Sequence, residues 1–412
     1  MSTDAPNTLA SDPAPQSDRL PDRIVMLLAV ASAIVTANAY YVHPIIGPVA
    51  NSFGVSDSLV GAVPAFNQIA LALGVVFLLP LGDRISNRTL ATFCVAAQVV
   101  GLVIMGLAQN FWLFVVGSTV LGFFTVTPYL LPAYTSKRIA PERLGHVTAI
   151  LTTGIIIGIL IARTGAGVVG EYFGWRTVYW IAAVLMIGAT IGLPYIMEPR
   201  EKTSAPAVQS YGSLIATLIP LALQHPQTLI SGTIQGLSFA IFLAVWMGVG
   251  LHLTSPEIGL GTDMVGYLAA ITAINALTTP RLGKWADRVG PRKARFFVAA
   301  TQIVGVLLLF PAGGSFWLLL IPISLISVSG PIIDITGRML SLNQAPAIRT
   351  RLITLYIMMM FLGGGLGSWT GTIAFDLGGW TGTCLLCLGF SLCVVTLSWI
   401  QFRQTQPGAT AG

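Results

Sequence analysis

Three charged residues stand where charge is least expected. Arg163 interrupts the apolar stretch "GIIIGILIARTGAGVVG" (Gly154–Gly170), and Asp334 and Arg338 interrupt "SGPIIDITGRML" (Ser329–Leu340). An ionisable group inside a membrane helix is costly to place and by default marks a functional position. A guanidinium there can hold an anionic or strongly polar group through forked hydrogen bonds. A carboxylate there can take up and release a proton. An arginine four residues further on lies on the same helix face and could instead fix it in a static bridge. For Asp334 with Arg338 both roles stay open, proton coupling or an inner gate. Asn38, Tyr40, Tyr41, Asn67, Gln68, Gln235, Trp246 and Asn275 complete a candidate substrate cavity around Arg163. Each polar side chain among them could equally serve as a hydrogen bond between neighbouring helices.

These residues need elements that hold them in lipid. Of 412 residues, 54% are hydrophobic and only 9% charged. A soluble domain carries about 25% charged residues, so lipid must be the main solvent of this chain. Apolar runs of roughly 20 residues, the length that crosses a bilayer as a helix, lie between short charged islands. They are too long and too continuously apolar for barrel strands. Reading runs against punctuation predicts twelve spans, near 24–45, 58–81, 89–108, 111–134, 146–170, 176–196, 227–250, 263–282, 294–311, 315–340, 350–374 and 381–401. Residues 1–22, rich in Pro, Ser, Asp and Ala, read as a disordered cytoplasmic segment. Ala37-Asn38-Ala39 imitates a signal cleavage site, but the acidic leader argues against one. Residues 23–197 form a first six-helix bundle and 226–402 a second. Between them, 198–225 read as a polar linker with an amphipathic interfacial helix, and 403–412 as a cytoplasmic tail.

All but three of the 21 lysines and arginines fall on one side of this arrangement, the side of both termini. Arg176 alone lies in the opposite loops, and Arg163 and Arg338 lie within spans. The excess places that side, and both termini, in the cytoplasm of a bacterial-type inner membrane. The net charge of +6 is thereby a topology signal, and no nucleic-acid partner is expected. His43 then falls at the outer mouth as an interfacial residue able to titrate near neutral pH. Arg163 lies about 12 Å from the outer end of its span, and Asp334 roughly 15 Å away in depth, in the cytoplasmic half. Gly154, Gly158 and Gly165 share a face suited to close helix contact. Opposite them, around Arg163, Ala166, Gly167 and Gly170 leave room for a head group. Cys94, Cys384, Cys387 and Cys393 fall inside spans, and the CxxC they contain has no partner ligands, so no metal is expected. Neither a phosphate loop nor paired metal ligands nor a nucleophile elbow is present, which excludes an ATP-driven pump and leaves no enzyme reading.

The halves resemble each other. "GDRISNR" (Gly82–Arg88) recurs as "ADRVGPR" (Ala286–Arg292) at an offset of 204 positions, and "EYFGW" (Glu171–Trp175) as "DLGGW" (Asp376–Trp380) at 205. A repeat of half the chain is the mark of a transporter built from two bundles with its site between them. "GKWADRVGPRK" (Gly283–Lys293) further resembles the loop signature of the major facilitator superfamily. The counterpart "LPLGDRISNR" (Leu79–Arg88) keeps Asp83, Arg84 and Arg88 but carries Leu79 and Ser86 at the glycine positions. The resemblance implies an all-α membrane protein of twelve transmembrane helices in two pseudo-symmetric six-helix bundles. It also implies a conformational role for the loop residues Asp83, Arg84, Arg88, Gly283, Asp287, Arg288, Gly290 and Arg292. Asp83 and Asp287 sit where a carboxylate could cap a neighbouring helix.

"NAYYVHPIIGPVANSFGVS" and "FLGGGLGS" resemble the bacterial twelve-span efflux group of drug, sugar and nucleoside exporters. Ser118 stands where drug/proton antiporters carry an arginine, and the fifth span has glycines without the usual proline. The expected function is secondary active transport by alternating access, as proton-coupled efflux of a small organic molecule by a monomer without cofactor. Organic-anion uptake or exchange with Arg163 as counter-ion is the alternative. A non-transporting receptor is a third, disfavoured by the lack of an appended cytoplasmic domain.

Overall fold

The computed structural model describes residues 20–136, 138–199, 211–274, 278–342 and 346–403. Asn275, the first nineteen residues, the middle of the linker and the end of the tail lie outside them. Among the described residues every regular element is a helix. Backbone immersed in hydrocarbon has to satisfy its polar groups internally, and a helix does so within one segment. Ten segments are each long and apolar enough to cross a bilayer. One of them belongs to Pro346–Arg403, a helix of 58 residues that would run about 87 Å if straight, nearly three hydrocarbon thicknesses. It breaks at Gly378 and at Gly379, whose φ is 56°, into the eleventh and twelfth spans. The eighth span is split into Thr262–Thr272 and Thr279–Val289, which brings the number to the expected twelve.

Local chemistry sets the ends. Asn110 accepts the Leu113 N–H at 2.8 Å to open the fourth span. Pro141, Pro226 and Pro291 occupy the first turns of the fifth, seventh and ninth, where a missing N–H costs nothing. Gly290, the second glycine of the loop signature, turns the chain from the eighth span into the ninth at a φ of 89°, a conformation open to glycine and strained for other residues.

Two further spans are broken near their middles. The first consists of Asp22–Ala37 and Val42–Phe53, joined by a tight turn in which Tyr40 N–H reaches Ala37 O at 3.0 Å. The fourth consists of Phe111–Phe124 and Thr127–Ser136. Gln98, on the third span, satisfies both breaks. Its Oε1 accepts from Asn38 Nδ2 at 3.0 Å and from Thr125 Oγ1 at 3.3 Å, and its Nε2 donates to Phe124 O at 3.0 Å. Gln302, 204 positions later, likewise donates to Ser238 Oγ on the seventh span at 2.9 Å. The repeat therefore extends to buried hydrogen bonds.

Small residues set the helix spacing within each bundle. Gly154 and Gly158 lie directly on the backbone of Ala29 and Ala33, and Gly363 on that of Gly236. Gly165, expected on the same seam, faces open space. Between the bundles two seams run, the second span against the eleventh and the fifth against the eighth. The fifth packs along Thr262–Thr272. The other half of the eighth span, Thr279–Val289, turns to the ninth and tenth spans of its own bundle. The halves thus meet along both seams at the end remote from the basic loops; toward the basic end the eighth span leaves the fifth, while Leu78 of the second span still packs with Tyr356 and Ile357 of the eleventh.

Candidate functional site

Arg163 is only 3% exposed. Its Nε and Nη2 lie 3.3 and 3.1 Å from His43 Nδ1 on the first span. Its guanidinium carbon sits 4.2 Å from the ring centre of Trp246, 4.6 Å from Phe242 and 5.4 Å from Tyr40. Phe242 and Trp246 are four residues apart on the seventh span and so share a face. Arg163 therefore ties the two bundles together through cation–π contact, which strengthens when the cation is desolvated. His43 is wholly buried, not interfacial as expected. The turn after Ala37 carries it inward, and its carbonyl lies against Gly250 of the seventh span. Gly167 and Gly170 do not leave room for a ligand either. Gly167 receives the backbone of Thr262 and Gly266, and Gly170 the Ile45 side chain.

The remote end is sealed around this cage. Thr262 Oγ1 donates to Gly167 O at 2.7 Å, Glu171 Oε2 accepts the Thr262 N–H at 2.8 Å, and Thr164 Oγ1 donates to Gly266 O at 3.2 Å. On the other seam Phe66 and Trp369 rings lie 5.8 Å apart. A chain of rings leads from the cage toward the basic end. Phe242 stacks on Phe239, which meets Phe361, which meets Tyr129 of the fourth span at 5.7 Å.

At the basic end the tenth span carries the second charged site. Arg338 Nε donates to both carboxylate oxygens of Asp334, at 2.9 and 3.0 Å. Tyr356 donates to the Asp334 carbonyl at 3.1 Å, and its ring lies 5.9 Å from the Arg338 guanidinium. The pair remains reachable, with side chains 24% exposed for Asp334 and 33% for Arg338. Arg163 and Asp334 are held by different partners, in line with their separation in depth.

The remaining predicted residues divide. Asn38 spends its amide N–H on Gln98, and Asn67 donates to Ser118 O at 2.8 Å while Ser118 Oγ donates to Val63 O. These are helix-to-helix bonds. Ser118, at the place where an arginine was looked for, serves packing. Tyr41 is buried in the core of the first bundle. Gln68 is wholly buried, and neither amide atom has a partner; Gln235 Oε1 and His43 Nε2 are also unpartnered. Gln68 lies opposite the exposed Phe77 on its helix, nine residues on and about half a turn away, so it faces the interior. Gln235 shares the face of Phe242 and Trp246.

In the loop signature, Asp287 and Arg288 are exposed at the end of Thr279–Val289. Among the described residues Asp287 caps no helix, contrary to expectation. Arg292 opens the ninth span, Gly283 lies on the eighth, and Arg84 reaches over the ring of Tyr211 at 6.0 Å. Backbone of Asp83 ends a short 3-10 turn, Leu79–Asp83, before Arg88 enters the third span.

Arg295 escaped notice because it follows a basic run at a span start and reads as a loop charge. It is wholly buried and donates to Ser231, Gln401 and Thr336 at 3.1, 2.8 and 3.3 Å. Phe242 and Gln98 were equally hidden, since an apolar residue and a lone amide give no spacing signal. No cluster of three potential metal ligands occurs among the described residues.

Two six-helix bundles, closing on buried polar groups from opposite sides, make a membrane carrier rather than an enzyme. The model of the Major Facilitator Superfamily matches residues 28–249 and again 227–411, and the chain belongs to that superfamily. The uncharacterized transporter YgaY of Escherichia coli O157:H7 is 27% identical over 387 residues, 93% of this chain and 96% of that protein. The multidrug resistance protein MdtG of Dickeya zeae is 27% identical over 241 residues, 56% of each. Among solved structures, the nucleoside transporter NupG superposes with a TM-score of 0.72 at 15% identity, covering 93% of this chain and 99% of that one. A bacterial homolog of the human lysosomal transporter Spinster, inward-facing and occupied, also gives 0.72, at 14% identity and covering 93% and 96%.

Proposed function

We propose that this transporter exports a small organic molecule from the cytoplasm in exchange for protons, acting as a monomer. The Lys- and Arg-rich end is the cytoplasmic one, so the remote seal around Arg163 is the outer gate, and the inner gate lies where the eighth span leaves the fifth. The efflux reading draws support from the likeness to the MdtG protein. The observation that carries proton coupling is the Asp334–Arg338 pair, in which both carboxylate oxygens accept from one Nε–H while the side chains stay partly exposed. A proton on Asp334 would cancel its charge and release Arg338, so protonation and the state of the inner half are linked. Tyr40, Gln68, Gln235 and Trp246 remain as substrate-facing groups, and the exposed Asp287 and Arg288 fit a loop whose contacts form when the inner side closes. The counter-ion role for Arg163 loses ground, because His43 and three aromatic rings already surround the guanidinium.

Proteoliposomes with an imposed pH gradient test the reading, with ethidium and adenosine as first cargo. Export by wild type should follow the gradient, and Asp334→Asn should retain exchange of cargo at equal pH but lose gradient-driven accumulation. Full gradient-driven transport by Asp334→Asn would sink Asp334 as the carrier.

A further inference from the structure

We propose that His43 is a proton-binding site of the outer gate, occupied when the gate opens outward and empty when Arg163 closes it. Arginine has only donors, and two of its N–H groups point at His43 Nδ1. That nitrogen must therefore present its lone pair. The imidazole is neutral in the closed gate, with its hydrogen on Nε2, which is buried without a partner. A proton arriving on Nδ1 forms an N–H bond where the two Arg163 hydrogen bonds were and sets a second cation against the guanidinium. Proton and Arg163 exclude each other at one atom.

The charge bookkeeping around the site leaves nothing to absorb that proton while the gate stays shut. On its own span His43 faces Tyr40, edge-on at 5.3 Å. From the fifth span it faces Arg163, and from the seventh the backbone of Gly250. The acidic groups of the fifth–eighth seam are committed elsewhere. Glu171 holds Thr262, and Asp263 accepts the Met264 N–H and the Tyr172 hydroxyl. His43 and Arg163 belong to the same bundle, so opening acts through the other one: it lifts Phe242 and Trp246 off the guanidinium, which frees Arg163 to leave His43 for water, and it brings the imidazole to the outside, where its ordinary range spans neutral pH. External acid then holds the gate open, and the open population falls as pH rises. The site is distinct from Asp334, which answers to the cytoplasmic side, and it rests on the orientation adopted above for the export reading.

The test reads the gate alone, without cargo or gradient, so its failure is separate from failure of proton-coupled export. Spin labels at Asn51→Cys and Glu257→Cys, both exposed at the outer end of opposite bundles, would report their distance by pulsed electron paramagnetic resonance. Cys94, Cys384, Cys387 and Cys393 are replaced by Ala, and the protein is held in nanodiscs. From about pH 8 to about pH 5 the wild-type ratio of long to short distances should rise at least about tenfold, the change that one linked proton permits per pH unit below its titration point. His43→Gln keeps an acceptor for Arg163 but cannot titrate, so its distances should stay short and flat. A wild-type ratio that ignores pH overturns the site whatever the variant does, as does a His43→Gln curve that follows wild type.

Discussion

At the level of single residues the molecule spends buried polarity unequally. Gln98 is matched on both amide atoms, and Asn38 and Asn67 each place their N–H on a neighbouring helix with only Oδ1 left over. Gln68 is matched on neither. An amide left unsatisfied in the interior costs about 1–3 kcal/mol, and a structural role would not tolerate two empty atoms. Gln68→Leu should therefore raise the thermal unfolding temperature while lowering cargo transport at least about tenfold, as lost substrate hydrogen bonds do. A stabilised variant with normal transport would remove Gln68 from the cavity. Arg163 makes the opposite case, since its guanidinium works as a flat plate and a fork at once. Lysine offers neither. Arg163→Lys should loosen the outer gate, seen as severalfold faster labelling of Thr254→Cys by a membrane-impermeant maleimide added outside at fixed pH.

At the level of elements, helix spacing is written in glycines, but only some of them. Gly158 abuts the Ala33 backbone, and a side chain there cannot be absorbed by rotating a neighbour. Gly165 meets nothing within 4 Å. Gly158→Val should lower the unfolding temperature markedly, in line with an overpacking cost of about 1–3 kcal/mol. Gly165→Ala should hold or raise it, because alanine is the better helix former by about 1 kcal/mol. Thermal unfolding in detergent distinguishes them. The twelve spans and the repeat were legible because apolar length and charged punctuation are one-dimensional signals. The roles of Gly167, His43 and Arg295 were not. Each depends on which helix arrives opposite, and that is settled by packing between segments 41 to 120 residues apart. The charge of Arg163 could be flagged from sequence, yet its partner could not: Pro44, in the first turn of Val42–Phe53, marks a break after Ala37 but not the direction in which it turns His43.

For the molecule as a whole, alternating access asks that two kinds of glycine seam differ in what they hold. Gly363 lies on Gly236 within one bundle, whereas Gly167 lies on Thr262 and Gly266 of the other, with a side-chain carbon placed 3.0 Å from Gly266 backbone atoms. If the bundles rock as bodies, a side chain at Gly363 must damage a bundle, while one at Gly167 only keeps the bundles apart on the outer side. Gly167→Val should then retain an unfolding temperature near wild type, label rapidly from outside at Thr254→Cys, and transport nothing. Gly363→Val should fail to fold. Loss of folding in both would mean that the outer seam is part of the stability core, and a rocking carrier could not be built on it.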